Sequence, residues 1–284
     1  MATLIDGKLV SAKLREDIAK RVSRLADSGI PAGLAVVLVG NDPASCVYVK
    51  NKKKACEQVG ITSFEYDLPE DTTQETLLSL IGELNGRDDV DGILVQLPLP
   101  KGLDAQEVIA AIDPAKDVDA FSPVNVGNTV IGTDGFLPCT PAGIMELLKF
   151  YGITAAGREC VIVGRSNIVG KPMALLMLHA DATVTVCHSK TRDLADVCRR
   201  ADILIVAVGR AKFITADMIK DGAVVIDVGM NRDENGRLCG DVDFESVNKK
   251  ASFITPVPGG VGPVTITMLL ANTVKAAERK KGLA

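Results

Sequence analysis

No C-x-x-C pair occurs in the chain, histidine appears only twice, positive charge is not in surplus, and no apolar run reaches membrane-spanning length. Each shortage removes a class of protein. The seven cysteines, at 46, 56, 139, 160, 187, 198 and 239, are odd in number and widely spaced, so neither a disulfide framework nor a structural zinc is supported. Lys and Arg total 32 against 36 Asp and Glu, a net charge of −4. That leaves no cationic field to neutralise a duplex, and nucleic acid is not an expected partner. Apolar runs such as ILIVAV at 203–208 fall far short of the roughly 20 residues of a membrane-spanning helix. Asp6 and Lys8 interrupt the start where a signal peptide would be apolar. The expectation is a reducing, cytoplasmic compartment with no membrane partner. With no Cys/His cluster and no Ser-His-Asp grouping, neither a metal site nor a hydrolytic triad is expected.

What is present is an ordinary globular composition, 47% apolar and 24% charged over 284 residues, enough for two domains at roughly 150 residues each. Short β-branched runs alternate with helical patterns: 34–40, 64–68 and 92–97, then CVIVG, TVTVC, ILIVAV and AVVID after residue 158. Such alternation indicates βαβ units, an α/β class with parallel sheet. Between the two sets of strands, Thr140-Pro141 has the pattern of an N-cap followed by proline at the first helical position. A domain boundary near 120 follows. The last stretch, VTITMLLANTVKAAERKKG, is helical in period and could close onto either domain.

The one dense cationic cluster before the tail, KNKKK at 50–54, lies in a helix framed by Asp42-Pro43 and Gly60. At about 100° per residue with Tyr48 at zero, Lys52 falls near ~40° on the stripe of Ala55, Cys56 and Val59. Lys50, Lys53 and Lys54 fall near ~200°, ~140° and ~240°, on the opposite face. Lys52 therefore has two readings. Either its stem runs from the apolar stripe out to water, or its ammonium is drawn into apolar surroundings that lower its pKa toward the range of proton exchange at neutral pH. Tyr48, one turn earlier, is placed to hydrogen-bond it.

In the second half, CVIVG runs into Gly164-Arg165-Ser166 and a helical segment. This is a strand, glycine turn and helix junction suited to a phosphate, although its spacing is not G-x-G-x-x-G and a plain βα turn has the same form. The next strand ends in His188-Ser189-Lys190 with no acid before Asp193. Where NAD-binding folds place an acid against the ribose 2′-hydroxyl, Arg165, Ser189 and Lys190 offer donors suited to a 2′-phosphate, so NADP is the expected cofactor.

Six segments taken in order resemble the bifunctional methylenetetrahydrofolate dehydrogenase/cyclohydrolase family over essentially the whole chain. They are YVKNK at 48–52, DGILVQLPLP at 91–100, DPAKDVDAFSPVNVG at 113–127, PCTPAG at 138–143, GRSNIVGKP at 164–172 and TPVPGGVGPVT at 255–265. The resemblance implies a folate-binding lobe, residues 1–120 with 260–284, and a Rossmann-like NADP lobe at 121–259, the active site in the cleft and the chain a homodimer. It implies Lys52, Tyr48, Gln96 and Asp119 as catalytic residues, and Gly164, Arg165, Ser166, Ser189 and Met230 at the nucleotide. Tyr48, Lys52, Val95, Gln96, Leu97, Asp119 and Pro258-Gly259-Gly260-Val261-Gly262 are then placed at the folate.

The implied chemistry is oxidation of 5,10-methylenetetrahydrofolate followed by hydrolysis to 10-formyltetrahydrofolate. The chain departs from the family's usual residues at Ala120, Ser122, Val124 and Val264. Two rivals share the layout: another two-domain NADP oxidoreductase of shikimate-dehydrogenase type, which would reduce a carbonyl, and a non-catalytic nucleotide sensor, whose polar site residues would be eroded. The Y-x-x-x-K and DGILVQLPLP segments stand against the first and the intact polar residues against the second.

Overall fold

A computed structural model describes residues 1–280 and residue 282 of the chain. In chain order the elements begin with β1 (Thr3–Leu4), α1 (Gly7–Asp27), β2 (Gly33–Val39), α2 (Pro43–Val59), β3 (Thr62–Leu68) and α3 (Gln74–Gly86). There follow β4 (Gly92–Val95), α4 (Ala105–Ala111), α5 (Pro123–Ile131), α6 (Cys139–Phe150), β5 (Glu159–Val163), α7 (Gly170–His179) and β6 (Thr183–Cys187). The chain closes with α8 (Leu194–Cys198), β7 (Ile203–Val206), β8 (Val224–Asp227), β9 (Asn231–Arg232), β10 (Leu238–Cys239), α9 (Phe244–Val247), β11 (Phe253–Ile254) and α10 (Val261–Lys280).

The fold is α/β, as expected, and divides into two compact units: Lys13–Cys139 with Ile266–Ala284, and Met1–Ala12 with Thr140–Thr265. The first is built on a parallel three-stranded sheet ordered β3-β2-β4. β2 is buried along its whole length, and its side chains alternate between two cores. Leu34, Val36 and Leu38 pack with residues of α1, α2 and α10, whereas Ala35, Val37 and Val39 pack with residues of α3 and α4. A strand covered on both faces has no polar side to show, which is why LAVVLV is continuously apolar.

The second unit holds a six-stranded parallel sheet ordered β1-β11-β8-β7-β5-β6, with a β9-β10 hairpin outside it. The seven longer strands lie where hydropathy alternation predicts them. The expected division at 120 and 260 does not match these units. Residues 1–12 join the second unit because β1 pairs with β11, and 121–139 join the first because Asn272 donates to the carbonyls of Val118, at 2.8 Å, and Leu137, at 3.0 Å. The unit boundary falls within α10, at Thr265/Ile266. α6 also starts one residue early, so Thr140 is its second residue rather than its N-cap.

Candidate active site

Lys52 is set by the caps of α2. The Asp42 carboxylate accepts from the Ser45 amide at 2.8 Å, Pro43 opens the helix, and Gly60 closes it in the left-handed region at φ 85°. With the register fixed, Lys50, Lys53 and Lys54 are exposed while Lys52 is only 9% exposed. Of the two sequence readings, the buried one holds. Its Nζ donates to Gln96 Oε1 at 3.0 Å, and Gln96 Nε2 donates to the Leu97 carbonyl at 2.7 Å, which fixes the orientation of the amide. Gln96 itself leaves β4 with its backbone N–H on Val37 O at 2.9 Å.

Asp119 reaches the same place by a turn. The segment before it pairs with β4 at one point, Ile93 opposite Asp117, and the turn that follows brings Asp119 close enough to Lys52 for their charges to interact. Asp117 is buried and ties the turn together, accepting from the amides of Phe121 (3.2 Å) and Ser122 (2.8 Å) and from Asn125 Nδ2 (2.9 Å). Ala120, where the family usually has glycine, is buried with φ 59°, a left-handed conformation that a methyl group tolerates poorly. Ser122 caps α5 through Asn125 N at 3.3 Å, Val124 is exposed, and Val264 is buried against Gly143.

Burial pushes the Lys52 ammonium below the usual lysine range, with the Asp119 carboxylate pulling it partly back. Burial likewise raises the Asp119 carboxyl, with Lys52 opposing. The Cys139 thiol, raised well above its usual value by burial and the Asp119 charge, donates to the Val118 carbonyl at 3.4 Å. Tyr48 is half-buried one turn before Lys52, and burial raises its hydroxyl. A lysine whose charged form is disfavoured, with an acid and an amide to restrain it, gives up its proton more readily than a solvated one. Cys139 and Asn272 went unrecognised as neighbours of this site: Asn272 reaches Val118 across 154 residues of sequence, and Cys139 meets Val118 only once the intervening turn and α5 have folded.

The second unit holds the other candidates. At the end of β5, the Gly164 N–H donates to Cys187 O at 2.9 Å, bringing the residues that follow β5 and β6 together; Arg165, Ser189 and Lys190 are exposed there. Gly164 has φ 133°, and a Cβ on it would collide with the Ala207 carbonyl. A Cβ on Gly170 would collide with the Gly164 carbonyl. Ser166 Oγ accepts from Val169 N at 3.2 Å and Gly170 N at 3.3 Å, tying the loop to the start of α7. These residues fit a dinucleotide: a bare backbone cradle, a helix N-terminus and exposed donors at the next strand end.

Met230 is exposed beyond β8 and near Gly262. Pro258 through Gly262 fall in this unit rather than with Lys52. Gly259 needs its φ of 107°, and the space a Cβ on Gly260 would enter is taken by Pro256 and Thr255. One side of this turn is taken by the chain's own backbone: Gly7 N donates to Gly259 O at 3.0 Å.

Parallel α/β architecture with a nucleotide cradle in one unit and a buried acid–base pair in the other defines a nicotinamide-nucleotide oxidoreductase with a second, proton-transferring activity. The chain belongs to the tetrahydrofolate dehydrogenase/cyclohydrolase family: residues 5–119 match the family's catalytic domain and 138–281 its NAD(P)-binding domain. It is 63% identical over 279 residues to the bifunctional protein FolD of Agathobacter rectalis, covering 98% of this chain and 100% of that one. The crystal structure of the bifunctional FolD methylenetetrahydrofolate dehydrogenase/cyclohydrolase from Campylobacter jejuni superposes with a TM-score of 0.97 at 54% identity, covering 99% of this chain and 100% of that one. The Trypanosoma brucei dehydrogenase-cyclohydrolase, solved with NADP and an inhibitor, gives a TM-score of 0.95 at 40% identity, with 99% and 98% covered.

Proposed function

We infer that the chain oxidises 5,10-methylenetetrahydrofolate with NADP and hydrolyses the resulting methenyl compound to 10-formyltetrahydrofolate. The observation that carries the reading is the buried Lys52 ammonium held by Gln96 beside Asp119, in a family that pairs a dehydrogenase with a cyclohydrolase. The shikimate-type and sensor alternatives are not favoured.

NADP, bound by Gly164, Arg165, Ser166 and Ser189 with Met230 nearby, supplies the acceptor for the hydride. Loss of hydride from the methylene bridge leaves a cation shared between two folate nitrogens, so the first step asks the protein for position and not for a proton carrier. Water then adds to the methenyl carbon. Neutral Lys52 takes the proton this water loses and returns one to the ring nitrogen as its bond to the carbon breaks, leaving the formyl group on the other nitrogen and one proton released overall. Gln96 holds Lys52, Asp119 accepts from pterin N–H groups and tunes the lysine, and Tyr48 stacks or orients the ring. Val95 and Leu97 complete the folate contacts of this unit.

The chain acts as a cytoplasmic homodimer without nucleic acid. Seven free cysteines support a reducing compartment, and the outer position of β6, with Val186 exposed, leaves a sheet edge for a second copy. Among the described residues no helix is long and apolar enough to cross a membrane. The test is to mix the protein with NADP and methylenetetrahydrofolate and follow NADPH and methenyl absorbance together. Equimolar NADPH and 10-formyltetrahydrofolate are expected; NADPH without hydrolysis would leave only the oxidation.

A further inference from the structure

The nucleotide unit contains a buried anion that no step above uses. Asp241 is fully buried, and both of its carboxylate oxygens are occupied by donors. Oδ2 accepts from the Val208 amide at 2.6 Å and the Gly209 amide at 3.0 Å. Oδ1 accepts from the Arg210 amide at 2.7 Å and from Asn231 Nδ2 at 2.8 Å. Three successive backbone N–H groups turned toward one point form a nest, the concavity that in many proteins takes a phosphate or other anion. Here the chain fills the nest itself.

The filled nest belongs to the loop that follows β7, and this loop touches the glycine turn. The Ala207 N–H continues the ladder to Val163 O at 2.8 Å, and the Ala207 carbonyl occupies the space in which Gly164 would carry a Cβ. The loop is thus fixed from two sides, by the bare backbone of Gly164 and by the Asp241 carboxylate. Asp241 is itself anchored. Its N–H and that of Val242 donate to the Asp227 carboxylate, each at 2.9 Å, as does the Gly229 N–H at 2.9 Å. Side chains on Gly229 and Gly240 would collide with the Asp241 and Asp227 carboxyl groups respectively. Ligands of open parallel α/β sheets bind outside the carboxyl ends of the strands, which is where Gly164 and Ala207 lie.

We propose that Asp241 is a positioning residue for NADP: an internal anion that locks the Ala207–Arg210 loop in the form that flanks the Gly164 turn. The assignment rests on the reading of that turn as the nucleotide site. Substituting Asp241→Asn sets an NH2 group against N–H donors and unlocks the loop while keeping volume. The expected result is an NADP Kd, measured by isothermal titration calorimetry, raised about tenfold, a KM for NADP raised in parallel with kcat at saturation retained, and hydrogen exchange accelerated at the Val208, Gly209 and Arg210 amides. Accelerated exchange with an unchanged Kd would overturn the proposal and leave Asp241 a purely structural group. Should Asp241→Asn not fold, Asn231→Ala, which removes one donor to Oδ1, carries the same test with a Kd expected to rise about threefold; an unchanged Kd there overturns it. Gly164→Ala is titrated alongside. An unchanged Kd in that variant would refute the nucleotide-site reading itself, whereas an unchanged Kd in the Asp241 variant alone refutes only the positioning role.

Discussion

Both units of the molecule withdraw aspartates from water, and the difference in their partners separates the two kinds of chemistry. In the nucleotide unit, the Asp227 and Asp241 carboxylates accept from backbone amides and one asparagine, so they act on conformation, even though burial pushes the Asp227 carboxyl up to about 6. In the folate unit Asp117 and Asp91 behave that way, Asp117 accepting from the Phe121 and Ser122 amides and Asp91 from the Gly33 amide. Asp119 is coupled to an ammonium that burial has already disfavoured. A buried acid facing amides makes a rigid loop; one facing a buried lysine makes a pair in which burial and mutual attraction oppose each other.

The sharpest way to break this comparison is Lys52→Met. Methenyl hydrolysis should fall by about 10³-fold or more while NADP binding and folding persist, since general acid–base groups contribute on the order of 10²–10⁴-fold. Undiminished hydrolysis would reject the lysine. In the unaltered protein the hydrolytic kcat should rise with pH through the depressed lysine pKa, because the neutral amine is the active form; Lys52→Met should flatten that rise. The sign for stability agrees. Between the lowered folded pKa and the unfolded value near 10.5, the unfolded chain binds the extra proton, so this group's contribution grows as pH climbs through the window.

Next in size, Gly164→Ala should raise the NADP KM by about 10–100-fold, because its Cβ must displace the Ala207 carbonyl and its φ is unsuited to alanine. A KM within twofold of the original would remove the cradle. Asp119→Asn should weaken folate binding about tenfold and slow both activities, as judged by fluorescence titration with a folate analogue; equal affinity would detach Asp119 from the pterin. Arg165→Ala combined with Ser189→Ala should lower the preference for NADP over NAD about tenfold in kcat/KM, a ratio that stays put if neither touches the 2′-phosphate. The smallest effect is Ala120→Gly, which relieves a left-handed alanine and should raise stability by about 0.5–1 kcal/mol; a lower Tm would show that the buried methyl matters more than the strain.

The folate-side helix was legible from sequence because local chemistry determines it. Asp42-Pro43 and Gly60 fix the register, and the register alone singles out Lys52 from its three exposed neighbours. The long strands were legible for the same reason. What escaped depends on partners distant in sequence. β1 and β11 have two residues each, too few to show a period, yet their pairing moves the N-terminus into the nucleotide unit. Asp241 looks like any surface acid in GDVDF until Val208–Arg210 fold around it. At Pro258–Gly262 the sequence could not say that Gly7 and its neighbours pack against the glycines.

The β9-β10 hairpin is clamped at its base, where Asn231 meets Asp241 and where Gly240 abuts Asp227. Its tip, Glu234–Arg237, is exposed and bonded to its own turn: Asp233 accepts from the amides of Asn235 and Arg237 at 2.9 Å, and Arg232 donates to Gly236 O at 2.7 Å. Extra peptide or a fluorescent reporter grafted at that tip would therefore be borne by a turn that is closed on itself, with its stem wired to the dinucleotide loop through one carboxylate.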